Sequence, residues 1–566
     1  MIKLYLIFEF FLQELKILFK KIIRLRQVFL TYFNLYQFYN FFLSRYNRIS
    51  FKDSIINIFL KKNEGLWIRN KKKKFLKPKI LVTSFVHAHP AYPYVNGIIG
   101  KYLSEYFSYE LLGYCDENDF LSYKILRSFG IKKNFTLKEK NIFLKFYYFL
   151  KAIYFLRNIN QVNNLLKIKY LGIDIGKITF DDVIRRTGNP TIDKINFKLV
   201  YHFSKSILIA DQFKKLISKT NIKAIVQSET QFIPSAIIFQ IALKKGIKVY
   251  SRSGVTKFSV KVYNNFNERY TAREEFSSRI FKRVLKNYKN ASAKGTQILK
   301  KRFCGTSSFE NLRDSKWAHA NKNNYSKEKL CKKLNWNVKK PIILIFCHSL
   351  IDGNFTTGKR VFRDNLEWLR YTLKSSLNIK SFNWLVKPHP MDWEYKLFGT
   401  NTFIEFEKIT QGSKYIKLCP RDLSSYSITK IVNSIVTSHG SSAMEYSGFG
   451  VPSISAGEAS YTKFNINYRA KNLSQYQNFL GKAGFLKKPS QSKQHRARAF
   501  TFIQNDVLAN SNILVPDYDY TKKVNTNKFY SDCIKLIDKY DNKRDKFKKI
   551  IFKQLNQKLD HTIDLV

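Results

Sequence analysis

Acidic residues are scarce in this 566-residue chain: 41 Asp and Glu stand against 100 Lys and Arg, a formal net charge of +59. That imbalance favours anionic partners, whether a membrane surface, nucleic acid or a phosphorylated substrate. The chain is also rich in Asn, Ile, Phe and Tyr and poor in Ala, as AT-rich coding produces, so charge alone makes no case for nucleic acid. Cysteine is sparse and dispersed, at Cys115, Cys304, Cys331, Cys347, Cys419 and Cys533. No two stand at metal-ligand spacing, so no zinc site is expected. A scattered set in a long chain reads as reduced and cytoplasmic. No run reaches the roughly 18 uncharged apolar residues of a membrane span. The first residues are apolar and aromatic, but Lys3, Glu9, Glu14, Lys16, Lys20, Lys21, Arg24 and Arg26 interrupt them. A short apolar core with a small-residue cleavage site is missing too, so no signal peptide is expected. This pattern fits an amphipathic basic helix on an anionic bilayer, and equally a helix packed on the protein's own body. No repeat of solenoid period is present.

What is there is an alternation of buried strands and helices. Residues 1–75 read as a basic, aromatic, helical extension ending in Lys71-Lys72-Lys73-Lys74. A first α/β domain is expected over 76–265, opening on the apolar strand 79–86. Helical patterns follow at 99–112, 117–129, 137–168 and 194–219, then a strand at 222–227, a helix at 233–245 closed by Gly246, and a strand at 247–250. Polar, helical residues 266–335 read as a connector. A second α/β domain is expected over 336–490, and a Lys-rich helical tail over 491–566. Alternating strands and helices imply parallel sheets, which bind ligands at the carboxyl ends of their strands. The fold class is therefore α/β, with two Rossmann-like domains facing a cleft.

Two motifs of the second domain fall at such strand ends. Trp384-Leu385-Val386 runs into Lys387-Pro388-His389-Pro390. The two prolines restrict the backbone and fix how the His389 imidazole projects. Imidazole can donate to a phosphate oxygen, Lys387 adds a point charge, and such groups stabilise a leaving nucleotide. The second motif takes the strand 431–436 into Ser438-His439-Gly440-Ser441-Ser442 and a helix start carrying Glu445. Ser438, Gly440, Ser441 and Ser442 offer hydroxyls and unhindered N–H groups to a phosphate, and Ser441 or Ser442 can equally be the helix N-cap. His348, after the strand 342–347, is a third candidate facing the cleft, with Asp352 nearby.

The first domain supplies acceptor-side candidates. Asp174 lies between Gly172 and Gly176, and Asp181, Asp182 and Arg185 follow, charges that can equally form a solvated loop with a helix N-cap. Glu229, just after the 222–227 strand, is a candidate general base, since an inverting transferase needs one group to take the acceptor's proton. His87 and His89, after the first strand, are rivals for that role, and spacing does not decide between them.

On these residues the 341–466 stretch resembles bacterial capsule polysaccharide biosynthesis proteins, the group that includes β-Kdo transferases. The match runs through His348 and Asp352, the 384–390 motif, Thr437 to Glu445 and Pro452-Ser453-Ile454-Ser455-Ala456-Gly457 to Tyr461. Gly172 to Arg185 and the 246–249 strand resemble its N-terminal half. The resemblance implies a GT-B fold and an inverting transfer from a nucleotide sugar, CMP-linked as with Kdo, to a lipid-linked or polymeric glycan at the cytoplasmic membrane face. It implies no metal and no cofactor, contacts from His389, Ser441 and Ser442 to the donor phosphate, and a ribose contact from Glu445. Gly440-Ser441 stands where the family often has Gly-Thr, and Glu229 where it commonly has His. Two other readings compete: polyol-phosphate transfer from a CDP donor, and a non-enzymatic basic protein binding membrane or RNA. An aromatic RNA-binding signature is absent, so no specific nucleic-acid partner is expected.

Overall fold

The computed structural model describes residues 5–17, 55–68, 76–86, 90–117, 119–138, 141–159, 161–306, 322–355, 357–392, 397–517 and 525–565. His87 and His89 lie outside them.

The first lobe is built on a seven-stranded sheet. Its strands are β1 (Leu76–Ser84), β2 (Tyr109–Asp116), β3 (Asn134–Leu137), β4 (Ile222–Gln227), β5 (Lys248–Gly254), β6 (Lys257–Tyr263) and, from far along the chain, β13 (Asn510–Ser511). Their order is β13-β6-β5-β4-β1-β2-β3. The β1, β2, β3, β4 and β5 ladders are parallel, while β6 runs antiparallel to β5 and to β13. Ile80, Leu81 and Val82 of β1 are fully buried, as expected for a central parallel strand covered on both faces. One face carries the helices Ile175–Thr187, Phe197–Ser218 and Ser235–Lys244. The other carries Ala91–Phe107 and Phe120–Ser128.

The second lobe is a six-stranded, wholly parallel sheet. Its strands are β7 (Ile342–Phe346), β8 (Asn383–Lys387), β9 (Ile416–Leu418), β10 (Ser434–Thr437), β11 (Ser453–Ser455) and β12 (Tyr468–Arg469). The order is β12-β11-β10-β7-β8-β9. This is the doubly wound order in which the chain reverses direction across the sheet between its first and fourth strands, here β7 and β10. Two such lobes joined across a cleft make the GT-B architecture.

Three stretches differ from the sequence expectation. The helix expected at 99–112 spans Ala91–Phe107 and stops at Ser108, whose φ is +56°. The apolar residues beyond it fill the slot beside β1 and become β2. Local pattern does not separate a short buried strand from a helix end; the neighbouring strand does. The 491–566 stretch returns to the first lobe. The helix Gln491–Phe502 packs on Ala291–Phe303 of the connector, β13 extends the first sheet, and Thr526–Asp538 lies on the helix Ile55–Ile68. Phe529, Tyr530 and Cys533 are buried in the first lobe's core. Lastly, Asp181 and Asp182 sit buried on the helix Ile175–Thr187 and not on a solvated loop.

The lobes are tied directly. The Asp181 carboxylate accepts from the backbone N–H and side-chain amide of Asn354 at 3.0 and 3.1 Å, and from the Phe355 N–H at 3.0 Å. Nearby, the Thr191 hydroxyl donates to Asp364 at 2.6 Å. These bonds fix the β7–helix loop of one lobe against a helix of the other.

Candidate active site

Because β7 lies between β10 and β8, the residues that leave the three strands emerge side by side. His348 follows β7, His439 follows β10 and His389 follows β8. The His348 and His439 rings stack with centroids 3.9 Å apart, and the His348 and His389 centroids are 6.0 Å apart. The His-Pro motif and the serine turn thus share one hollow.

That hollow is a cavity of about 400 Å³ between the lobes. From the second lobe it is lined by His348, Lys387, His389, Gly440, Ser441, Ser442, Glu445 and Tyr446. From the first lobe come Ser253, Gly254, Lys257 and Ser259, from the connector Glu274 and Arg302, and from the returning tail Gln504 and Asn505. Among the described residues, no group of three His, Cys, Asp or Glu side chains could hold a metal ion.

The electrostatics follow from burial. Desolvation, and then the neighbouring His348, push the His389 imidazole down to about 4. His439 is held well below its ordinary value by burial and by the Arg360 cation. His348 is also lowered, chiefly by burial, with Asp352 opposing the shift. At neutral pH these rings are therefore neutral donors and acceptors. At His348 Nδ1 the Asn365 amide and the Ser349 carbonyl both lie at 3.3 Å, so the tautomer decides which bond forms. His439 Nδ1 is 3.0 Å from the Ser438 hydroxyl, and Ser438 donates to Asn365 at 3.2 Å. Ser438 does not line the main cavity; it joins His439 to Asn365. Lys387 places its ammonium 5.5 Å from the Phe346 ring centroid, and burial lowers its proton affinity.

The serine turn keeps its hydroxyls uncommitted to capping. The helix Ser442–Ser447 starts after Ser441, whose φ of −59° and ψ of −24° are already helical and whose side chain makes no capping bond. The plain N-cap role is thus unfilled. Gly440 donates its N–H to the Thr437 hydroxyl at 3.3 Å, and its carbonyl accepts from the Tyr461 hydroxyl at 2.7 Å. A Cβ at Gly440 would come within 3.0 Å of Thr437 Oγ1, so glycine lets the turn lie this close. Gly450, at φ +85°, is needed for the turn into β11.

Glu445 is partnered inside the protein. Its carboxylate accepts from the Arg302 guanidinium, which also reaches the Asn505 side chain at 3.2 Å. Glu229, Asp174, Asp182 and Arg185 do not line the cavity. Glu229 accepts from the backbone N–H groups of Thr230 and Gln231 at 2.7 and 2.8 Å and lies 4.0 Å from Arg273, closing a turn. Asp174 is bound by Arg269 at 2.7 Å and by the Tyr270 hydroxyl. These two bonds outweigh burial and hold its carboxyl below the ordinary range. Asp182 pairs with Arg186 at 2.8 Å and His202 at 3.0 Å and accepts the Ile233 N–H. Arg185 places its guanidinium 5.9 Å from the Phe232 ring centroid. The acceptor-side candidates of the first lobe are thus held in its own packing.

Sequence reasoning missed Glu274, Arg302 and Asn505, which carry no local motif, and passed over His439 although it stands inside the serine motif. Glu274 lines the cavity together with His348 and His389. Burial works against its ionisation, but Arg273 and the Ser253 hydroxyl, 2.7 Å away, outweigh it and hold its carboxyl below the usual range.

No protein-family model matches the chain, and no curated protein matches it. Among solved structures, it is similar to KpsC, a beta Kdo 2,7 transferase of Thermosulfurimonas dismutans: 14% identity, 48% of this chain and 79% of that chain covered, TM-score 0.28. It is similar also to a UDP-GlcNAc 2-epimerase from Neisseria meningitidis bound to UDP-GlcNAc, at 10% identity, 75% and 98% covered, TM-score 0.21. A third is CalG4, the calicheamicin glycosyltransferase, at 9% identity, 75% and 94% covered, TM-score 0.25. Likenesses this distant say nothing of substrate. The GT-B assignment rests on the two strand orders and the shared cleft.

Proposed function

We propose that this chain is an inverting glycosyltransferase of surface polysaccharide synthesis, with a CMP-linked acidic sugar of the Kdo type as donor and a lipid-linked or growing glycan as acceptor. One observation carries the reading: His389 and the Ser441-Ser442 turn line the same cavity, and Glu274, bonded to Ser253 of the first lobe, lines it too. In this reading the donor phosphate lies against Lys387, His389, Ser441 and Ser442. The acceptor hydroxyl enters from the first lobe and its oxygen attacks the anomeric carbon. The bond from that carbon to the phosphate oxygen breaks, and the nucleotide leaves with the electron pair. The acceptor's proton passes to Glu274, which takes the place of Glu229 as base. Neutral imidazoles and hydroxyls donate to the departing phosphate, which gains charge as the bond breaks. The Kdo-type donor is supported by the likeness of the 384–390 and 437–445 motifs to the capsule family.

The test is thermal melting of the full chain with CMP, CDP, UDP and GDP, since a ligand that binds only the native form raises its Tm. Cytidine nucleotides are expected to raise it, and His389→Ala to abolish the rise. Tight binding of RNA with no response to any of the four nucleotides would reject the enzyme reading.

A further inference from the structure

The helix Ile142–Leu156 contains no acidic residue and is apolar on almost every side. A helix of that kind is either enclosed by protein or faces a bilayer. This one is half enclosed. Tyr148, Phe149, Ala152 and Leu156 are buried against the first lobe. On the outer side Phe143, Tyr147, Leu150 and Tyr154 recur at helical spacing and are 83, 58, 41 and 59% exposed.

The helix at 5–17 lies beside it and runs the opposite way. Phe10 packs on Phe149 with centroids 4.8 Å apart, Phe11 meets Phe146 at 5.4 Å, and Glu14 is bound by Lys145 at 2.8 Å and by the Tyr201 hydroxyl at 3.0 Å. Leu6 and Phe10 are buried, while Tyr5, Phe8 and Leu15 point outward. Of the two alternatives that the N-terminal sequence leaves open, packing on the body is seen for one stripe of the helix at 5–17, while its other stripe is presented to solvent. Ten of the eighteen exposed large hydrophobics among the described residues fall on these two neighbouring helices, a concentration beyond ordinary scatter. Basic groups flank it. Arg157 holds its guanidinium 3.9 Å from the Tyr154 ring centroid, and Lys16 is exposed.

We propose that this two-helix face docks on an anionic lipid bilayer, inserting its aromatic stripes to headgroup depth while the basic rim meets the lipid phosphates. Aromatic side chains flanked by Lys and Arg favour that depth, and no helix of the described residues is long and apolar enough to cross a membrane. Charge selects this occupant over a second copy of the chain. At +59, two copies meeting face to face bring like charges together, whereas anionic lipid neutralises them. The proposal stands independently of the donor reading.

The experiment is co-sedimentation of the full chain with phosphatidylcholine vesicles, with and without phosphatidylglycerol, at low and high salt. Binding is expected only with phosphatidylglycerol and is expected to weaken with salt. The triple variant Phe143→Ser, Tyr147→Ser, Tyr154→Ser is expected to bind at least about tenfold less, with its nucleotide-dependent Tm shift unchanged. Absence of wild-type binding, or undiminished binding by a folded triple variant, overturns the proposal. So does a lipid-free dimer that the variant converts to monomer, because the patch then belongs to a second copy.

Discussion

His348 and His439 stack face to face, 3.9 Å between ring centroids and 22° between planes. Two imidazolium cations do not share that separation in a buried site, and burial holds both rings below their ordinary value. Substituting His439→Ala removes the ring that stacks on His348, which lines the cavity. We expect a loss of about 10²-fold in kcat/KM for transfer, the lower range for a positioned proton-handling group, with the circular dichroism unchanged. Turnover close to wild type would separate the imidazole stack from the chemistry.

The depressed basicity of His389 has a sign that stability measurements can read. In the unfolded chain this histidine takes its proton near about 6.5; in the folded protein burial, reinforced by His348, delays it to about 4. Between these values the unfolded state binds more protons, so the contribution is complete above the unfolded value and is lost as pH falls toward the folded one. For His389 alone the loss between about pH 7 and about pH 5 is ~2 kcal/mol. Asp181 works the other way. Burial pushes it up to about 7, so its contribution is present at acid pH and fades as pH rises toward that value. Comparing urea midpoints of wild type and His389→Gln at the two pH values cancels the Asp181 effect. The variant should lose less stability on acidification; an equal loss would mean that this ring already titrates normally.

Arg302 and Glu445 form an ion pair whose side chains are 13 and 8% exposed, joining the connector to the second lobe. Removing one partner strands the other. Arg302→Ala should cost on the order of 3 kcal/mol, because an unpaired buried carboxylate remains, while the double change Arg302→Leu, Glu445→Leu should recover part of it. Denaturant titration of Arg302→Leu, Glu445→Leu and the double measures this. A fully additive double would show that the two side chains do not act as a pair.

Glu274 makes a different prediction, because it lines the cavity from outside the lobe that holds the phosphate-binding motifs. Glu274→Gln keeps the shape and removes the basicity. We expect kcat to fall by about 10²- to 10⁴-fold while the nucleotide-dependent Tm shift persists. Loss of the nucleotide response together with activity would place Glu274 in donor binding, and unchanged kcat would return the search for a base to the first-lobe histidines.

Much of the second lobe was legible because its signals are local. Trp384-Leu385-Val386 is a buried strand, the two prolines end it, and His389 has to emerge where they turn the chain. The serine turn between β10 and its helix is equally self-contained. In the first lobe, local reading failed where short apolar stretches are ambiguous. Tyr109 to Leu112 continue a helical pattern until β1 offers them a ladder. Asp174, Asp182 and Glu229 look like acceptor-side chemistry in one dimension, yet each carboxylate is consumed by cations, N–H groups or a hydroxyl of its own lobe.

The amino-acid order by itself determined the alternation of strands and helices, the strand ends that carry Lys387, His389 and Ser441, and the basic, aromatic character of the N-terminal helix. Only the tertiary structure decided who meets whom. The strand order put β7 between β8 and β10, and that adjacency, not any spacing along the chain, brought three imidazoles together. The return of the tail to the first lobe and the pairing of Arg302 with Glu445 were settled in the same way. Contacts between distant segments depend on which buried surfaces fit, and no local pattern encodes them.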